Sequence, residues 1–230
     1  MKFSFLGAGL VLFASVPGVY ANTITFVTPS GATTSGGPVD ASATFTTGAG
    51  FVDITLTDLE ANPKDVAQLL SDLDFVLSNG ATTGTLASSS GQEITVASNG
   101  TFTLGNAVST GWGLNNNVGG GLQLDALGFI GPEHLIIGPP GAGLTYSNAN
   151  SSIAGNGPHN PFLNQTATFV VDVTGVTVDT RITSATFSFG TTPGINVPGT
   201  VPEPSSLLSL LMLGGAGLVF RKRLGGVFRR

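Results

Sequence analysis

Apolar and polar positions alternate with a period of two over much of the chain, and that alternation predicts strands. Phe51-Val52-Asp53-Ile54-Thr55-Leu56-Thr57 puts Val52, Ile54 and Leu56 on one face. Thr166 to Thr174 does the same with Phe169, Val171 and Val173, and Thr183 to Phe189 with Ala185, Phe187 and Phe189. Asn22 to Phe26 alternates as a first strand, and Glu93 to Ala97, Thr101 to Leu104 and Leu135 to Ile137 are shorter candidates. Gly and Asn punctuate these runs at intervals suited to sandwiches and barrels. One stretch breaks the pattern: after Asn62-Pro63, Lys64 to Leu73 carries Val66, Leu69, Leu70 and Leu73 at helical spacing. The expected architecture is all-β, an antiparallel β-sandwich of jelly-roll type with one short helix. The triplet Ala-Thr-Phe recurs at Ala43, Ala167 and Ala185 but sets no repeat period.

Two other segments depart from alternation, and both lie at the ends. Met1 to Ala21 has a positive Lys2, a mostly apolar stretch from Phe3 to Val16, a Pro17-Gly18 break and small residues up to Ala21. This is the layout of a secretory signal peptide with cleavage after Ala21. Its apolar run is shorter than the ~20 residues of a spanning helix. At the other end, Val201-Pro202-Glu203-Pro204 is followed by the apolar run Leu207 to Phe220 and then by Arg221-Lys222-Arg223. As a single hydrophobic helix that run is ~21 Å long at ~1.5 Å per residue. It spans a ~30 Å bilayer core only with thinning or with snorkelling of the cations. The basic stop belongs on the cytoplasmic side, which puts Pro202-Glu203-Pro204 outside, extended by its prolines. The domains expected are a signal peptide at 1–21, a β-sandwich at 22–189, a Gly/Pro/Thr-rich linker at 190–200 and a sorting tail at 201–230.

This three-part tail resembles the PEP-CTERM sorting signal. The motif is carried by Pro202, Glu203 and Pro204, the short helix by Leu207 to Phe220 and the basic stop by Arg221, Lys222 and Arg223. The resemblance implies recognition and cleavage by a membrane transpeptidase-like exosortase. The extra Leu224 to Arg230 departs from tails that end in the basic cluster. The stretch Gly155 to Leu163, with the strands that follow it up to Gly190, is also similar to the bodies of other such proteins, which implies a domain of no assigned activity.

Composition narrows the function classes. Of 230 residues only 9% are charged, 34 are Gly and none is Cys. Between Asn22 and Pro204 there are 13 acidic residues against two basic ones, Lys64 and Arg181, so a nucleic-acid partner is excluded. Without Cys there is neither a disulfide framework nor a thiolate metal site. No Gly-x-Ser-x-Gly elbow occurs, and His134 and His159 read as structural or surface histidines. The pairs Asp72/Asp74 and Asp58/Glu60 lack the offsets of an EF-hand loop and read as solvated carboxylates. The Gly-rich stretches 119–121 and 138–143 lack the residues of a phosphate cradle and read as turns.

No catalytic, metal-binding or cofactor-binding residues are therefore assigned, and the chain is read as a non-enzyme. The function expected is that of an exported cell-surface or extracellular-matrix protein of structural or interaction type, transiently anchored in the inner membrane. Its expected partners are signal peptidase, an exosortase-type enzyme, and extracellular polysaccharide or other surface proteins. The competing expectation is a carbohydrate-binding or carbohydrate-active secreted β-sandwich module. Sugar sites want stacked aromatics, and the body after the signal peptide offers one Trp, Trp112, and one Tyr, Tyr146, which argues against it.

Overall fold

In the computed structural model of the chain, residues 21–128 and 134–202 are described. The order is β1 Asn22–Val27, β2 Thr33–Thr34, β3 Gly37–Pro38, β4 Ala41–Thr47, β5 Phe51–Asp58, β6 Leu70–Leu77 and β7 Thr85–Val96. Then follow β8 Phe102–Val108, β9 Gly113–Val118, β10 Gly121–Asp125 and β11 Ile136–Ile137. A four-residue helix, α1 Ser151–Ala154, precedes β12 Phe162–Asp172, β13 Ile182–Phe189 and β14 Asn196–Pro198. The protein is mostly β, as the alternation implies.

All strands except the small β2-β3 ribbon belong to one large sheet with two arms. One arm runs β1-β4-β5-β12-β7-β8 and the other β14-β13-β6-β10-β9, with every neighbour within an arm antiparallel. The two-residue β11 joins them, pairing Ile136 with Leu70 of β6 and running parallel to Leu163 and Asn164 of β12. That parallel pair makes the sheet mixed, where a wholly antiparallel one was expected. Its origin is local: at Gln165, which has φ +63°, β12 leaves β11 and takes up β5 from Thr166 onward.

The inner faces of the two arms share one core. Phe45 on β4 lies 5.5 Å from Phe75 on β6 and 6.0 Å from Phe26 on β1, ring centroid to ring centroid. The three Ala-Thr-Phe triplets fall on β4, β12 and β13, and each time Ala and Phe are buried. The echo is therefore one inward–outward–inward pattern used three times.

The helix expected over Lys64 to Leu73 is absent. Only Val66–Gln68 winds, as a single 3-10 turn capped by Asp65, whose side chain accepts from Ala67 N–H at 3.0 Å. The buried Gln68 side chain holds the turn, accepting from Lys64 N–H at 2.9 Å and donating to the Pro38 carbonyl at 2.7 Å. From Leu70 the chain becomes β6, because Leu73, Phe75 and Leu77 also alternate and β13 and β10 flank it on either side. An isolated ten-residue helix is marginal in water, so central-strand pairing overrides the helical spacing.

Residues 196–200, within the stretch expected as a linker, pair with the body. β14 pairs β13, Gly199 N–H donates to the Ala185 carbonyl at 2.8 Å, and Thr200 bridges to Val27. Among the described residues no helix is long and apolar enough to cross a membrane. The signal-peptide residues 1–20, the apolar run Leu207 to Phe220, and Glu203, Pro204, Arg221, Lys222 and Arg223 lie outside the described residues.

Candidate functional site

The tail leaves the body at a clasp between the two arms. β14 is hydrogen bonded to the edge of one arm through β13, and two residues later Thr200 is bonded to the edge of the other, at Val27. Gly199 makes the crossing. A Cβ there would stand 3.0 Å from the Phe187 ring, 3.1 Å from the Ala185 carbonyl oxygen and 3.3 Å from the Phe26 Cβ. Only a residue without a side chain passes between these groups unstrained. Val201, 51% exposed, and Pro202, also exposed, follow directly. The four-residue motif thus begins one residue beyond Thr200, the last hydrogen-bonded residue among those described. Ala21, the expected cleavage position, is exposed at the opposite end of β1.

The outer face of the first arm is a field of hydroxyls. Register aligns Thr25, Thr44, Thr55, Thr168 and Ser90 across β1, β4, β5, β12 and β7 in one row. The row beside it is Val27, Ser42, Thr57 and Thr166. Hydroxyls bond across strands at 3.1 Å for Thr23–Thr46, 2.9 Å for Thr25–Thr44 and 3.1 Å for Thr57–Thr166. Adjacent rows come from alternate residues of ~3.3 Å rise, and adjacent strands are ~4.8 Å apart, so the field is regular.

The outer face of the second arm carries carboxylates. Asp72 on β6 lies between Ser188 of β13 and Asp125 of β10, and Asp74 between Thr186 and Gln123. Asn115 donates to Gln123 at 3.0 Å and to Asp125 at 2.9 Å, while one oxygen each of Asp72 and Asp74 is buried without a partner. Burial, reinforced by the Asp125 carboxyl, pushes the Asp72 carboxyl up to about 8, and burial also raises Asp74. Asp72 is only 4% exposed and Asp58 is fully buried, which corrects the reading of these two as solvated. Asp58 continues the Val52, Ile54, Leu56 parity of β5 into the core. Its carboxyl accepts from Glu60 N–H at 3.0 Å, and burial holds it well above the usual carboxylate range. Among the described residues no group of three or more His, Cys, Asp or Glu side chains is placed to hold a metal ion.

The aromatics of a sugar-stacking site are committed elsewhere. Trp112 is 5% exposed, packs on Phe169 at 5.2 Å and donates its Nε1–H to the His134 carbonyl at 2.7 Å. Tyr146 is fully buried and donates to the Gly138 carbonyl at 2.9 Å. His134 is buried too; its Nδ1–H donates to the Pro161 carbonyl at 2.5 Å, and Nε2 lies 3.8 Å from Glu93. It positions the Asn160-Pro161 segment, which includes a cis peptide bond. His159 sits in the preceding turn, its backbone N–H donating to the Asn156 carbonyl at 3.1 Å.

Of the sequence-read signal, Val201 and Pro202 are thus placed at the clasp. The clasp itself escaped sequence reasoning, because Val27 and Thr200 are far apart in the chain and no local pattern announces their pairing. The hydroxyl rows escaped it as well, although the repeated Thr-x-Thr at Thr23, Thr44, Thr55 and Thr166 was a signal. Neither a curated protein nor a solved structure matches the chain. Residues 200–223 match the family model of the PEP-CTERM protein-sorting motif. That span starts at the last residue of the clasp and takes in the Pro-Glu-Pro, the apolar run and the basic stop. Such a motif implies an exported protein processed by an exosortase, and the chain carries it directly beyond its folded body.

Proposed function

We propose that the chain is an exported cell-surface or extracellular-matrix protein of structural or interaction type, without catalytic activity. Its body is a two-layered β-sandwich, a reading supported by the Phe45–Phe75 contact between the two arms. Signal peptidase removes residues 1–21; the tail then anchors the body in the inner membrane until an exosortase-type enzyme cuts at Pro202-Glu203-Pro204.

The observation that carries this reading is the placement of the motif. Thr200 is hydrogen bonded into the body, and only residues 201–206 separate it from the apolar run. At ~3.3–3.6 Å per extended residue they reach about 20 Å. An anchored body is therefore held against the membrane with the motif between them, where a membrane enzyme meets it. The hydroxyl field on the first arm supports the interaction role. It is regular and sparsely charged, with the carboxylates Asp53 and Asp172 set apart on its paired positions, and suits a neutral hydroxyl-rich partner such as extracellular polysaccharide.

Intact-mass and terminal-peptide measurement on protein recovered from its own host tests the reading. The mature form is expected to begin at Asn22 and end near Pro-Glu-Pro, with Leu207 to Arg230 missing. Recovery of Arg230 in a membrane fraction overturns it.

A further inference from the structure

The rung between Val27 and Thr200 is closed in both directions. Val27 N–H donates to the Thr200 carbonyl and Thr200 N–H to the Val27 carbonyl, each at 2.8 Å. In an antiparallel ladder such doubly bonded pairs recur at every second residue. The other side of the strand fixes the same parity independently. Thr28 N–H donates to the Ala41 carbonyl at 3.0 Å, so the even-numbered residues of this segment face β4. Val27, Thr25 and Thr23 then face the outer edge, where no strand pairs with β1 among the described residues.

Were the ladder continued from Thr200 in the same register, the next two bonded positions would set Pro202 against Thr25 and Pro204 against Thr23, with Glu203 at the non-bonded position between them. Each of those rungs needs an N–H from the tail, and proline has none. The described ladder ends at Thr200, and Pro202 is the first residue from which the next rung would need a donor. Without prolines the tail would meet an open edge with backbone donors and acceptors at Thr23 and Thr25, a template for further pairing.

We propose that Pro202, and after it Pro204 by its lack of an N–H, act as register stops: the ladder that closes at Thr200 cannot be continued along the β1 edge with full rungs. They are positioning residues for processing, separate from any contact they make with the enzyme. A peptide zipped onto β1 would have its backbone engaged and Glu203 held against the sheet. The use made of the stop rests on the tail being a processed signal; the stop itself does not.

Amide hydrogen exchange of the full chain in detergent micelles, read by NMR at Thr23, Thr25 and Val27, tests this. In the wild type, Val27 is expected to be protected while Thr23 and Thr25 exchange as unpaired amides. In Pro202→Thr/Pro204→Thr, exchange at Thr25 and Thr23 is expected to slow by roughly tenfold or more as the ladder extends. Glu203→Thr, at the non-bonded position, is expected to leave both unchanged. Protection of Thr23 and Thr25 in the wild type overturns the proposal, and so does unchanged exchange in the double variant. Processing in the host is a separate readout: retention of Arg230 with exchange as expected leaves the register stop standing and removes the sorting reading.

Discussion

The two arms of the sheet bury similar residues on the inside and differ on the outside. The first arm sets Thr and Ser outward in bonded rows, and its few outer carboxylates are spaced apart. The second sets Asp72, Asp74 and Asp125 close together among Asn, Gln and Ser. Inward Phe and Leu close a core equally well under either exterior, so the core constrains the outer faces little. What the exterior changes is response. A threonine face is indifferent to pH, whereas a face of crowded, half-desolvated carboxylates holds protons that the unfolded chain would release.

The strongest way to break the comparison is at the joint. Phe45 is fully buried and touches Phe26 in its own arm and Phe75 in the other. Phe45→Ala is expected to cost about 3–5 kcal/mol, the range for truncating a buried phenylalanine. Because both arms line one core, the loss should shift a single urea transition to a lower midpoint with an unchanged slope. Two separated transitions would show that the arms are independent layers.

The same contrast explains what was legible in the sequence. β1, β5 and β12 stood out because their outer positions are mostly Thr and Val, which themselves favour strands. In the second arm β9 reads Gly-Leu-Asn-Asn-Asn-Val and β10 Gly-Leu-Gln-Leu-Asp, outer residues that argue for turns, and both went unread. At β6 the helical spacing of Leu69, Leu70 and Leu73 comes before Phe75 and Leu77 declare the strand, so the local pattern points to a helix. β14 hid within a Gly/Pro-rich stretch, since its pairing with β13 is tertiary. The sorting motif was readable because its chemistry is contiguous; its root in the fold was not, because the partner strand begins the body.

Protonation sharpens the comparison. Asp72 titrates near 8 in the folded chain, against about 3.9 when unfolded. Between those values the folded state keeps a proton that the unfolded state loses, so this contribution is complete below about pH 4 and gone above about pH 8. Stability is thus expected to fall as pH rises through that window, and the raised Asp58 and Asp74 act in the same direction. Asp72→Asn, neutral at every pH, is expected to match the wild type near pH 4 and to be more stable than it near pH 8, where the wild type must either ionise a buried carboxyl or keep its proton at a cost. Thr55→Val on the first arm is expected to move stability by the same amount at both pH values. Equal effects of the two substitutions at both pH values would mean that the Asp72 proton is not linked to folding.

The smallest effect tests whether the hydroxyl rows hold the first arm together or only decorate it. Thr25 and Thr44 are register partners with their hydroxyls 2.9 Å apart on a half-exposed face. Valine keeps the branched shape and strand preference of threonine while deleting the hydroxyl, so it isolates the bond. A double-mutant cycle of Thr25→Val and Thr44→Val is expected to give a coupling of about 0.2–1 kcal/mol, the size of a cross-strand pair. Coupling in that range ties the rows to the stability of the arm. Zero coupling would mean that solvent satisfies each hydroxyl as well as its neighbour does. The rows would then contribute nothing to holding the fold, and their regularity would matter only to what binds the face.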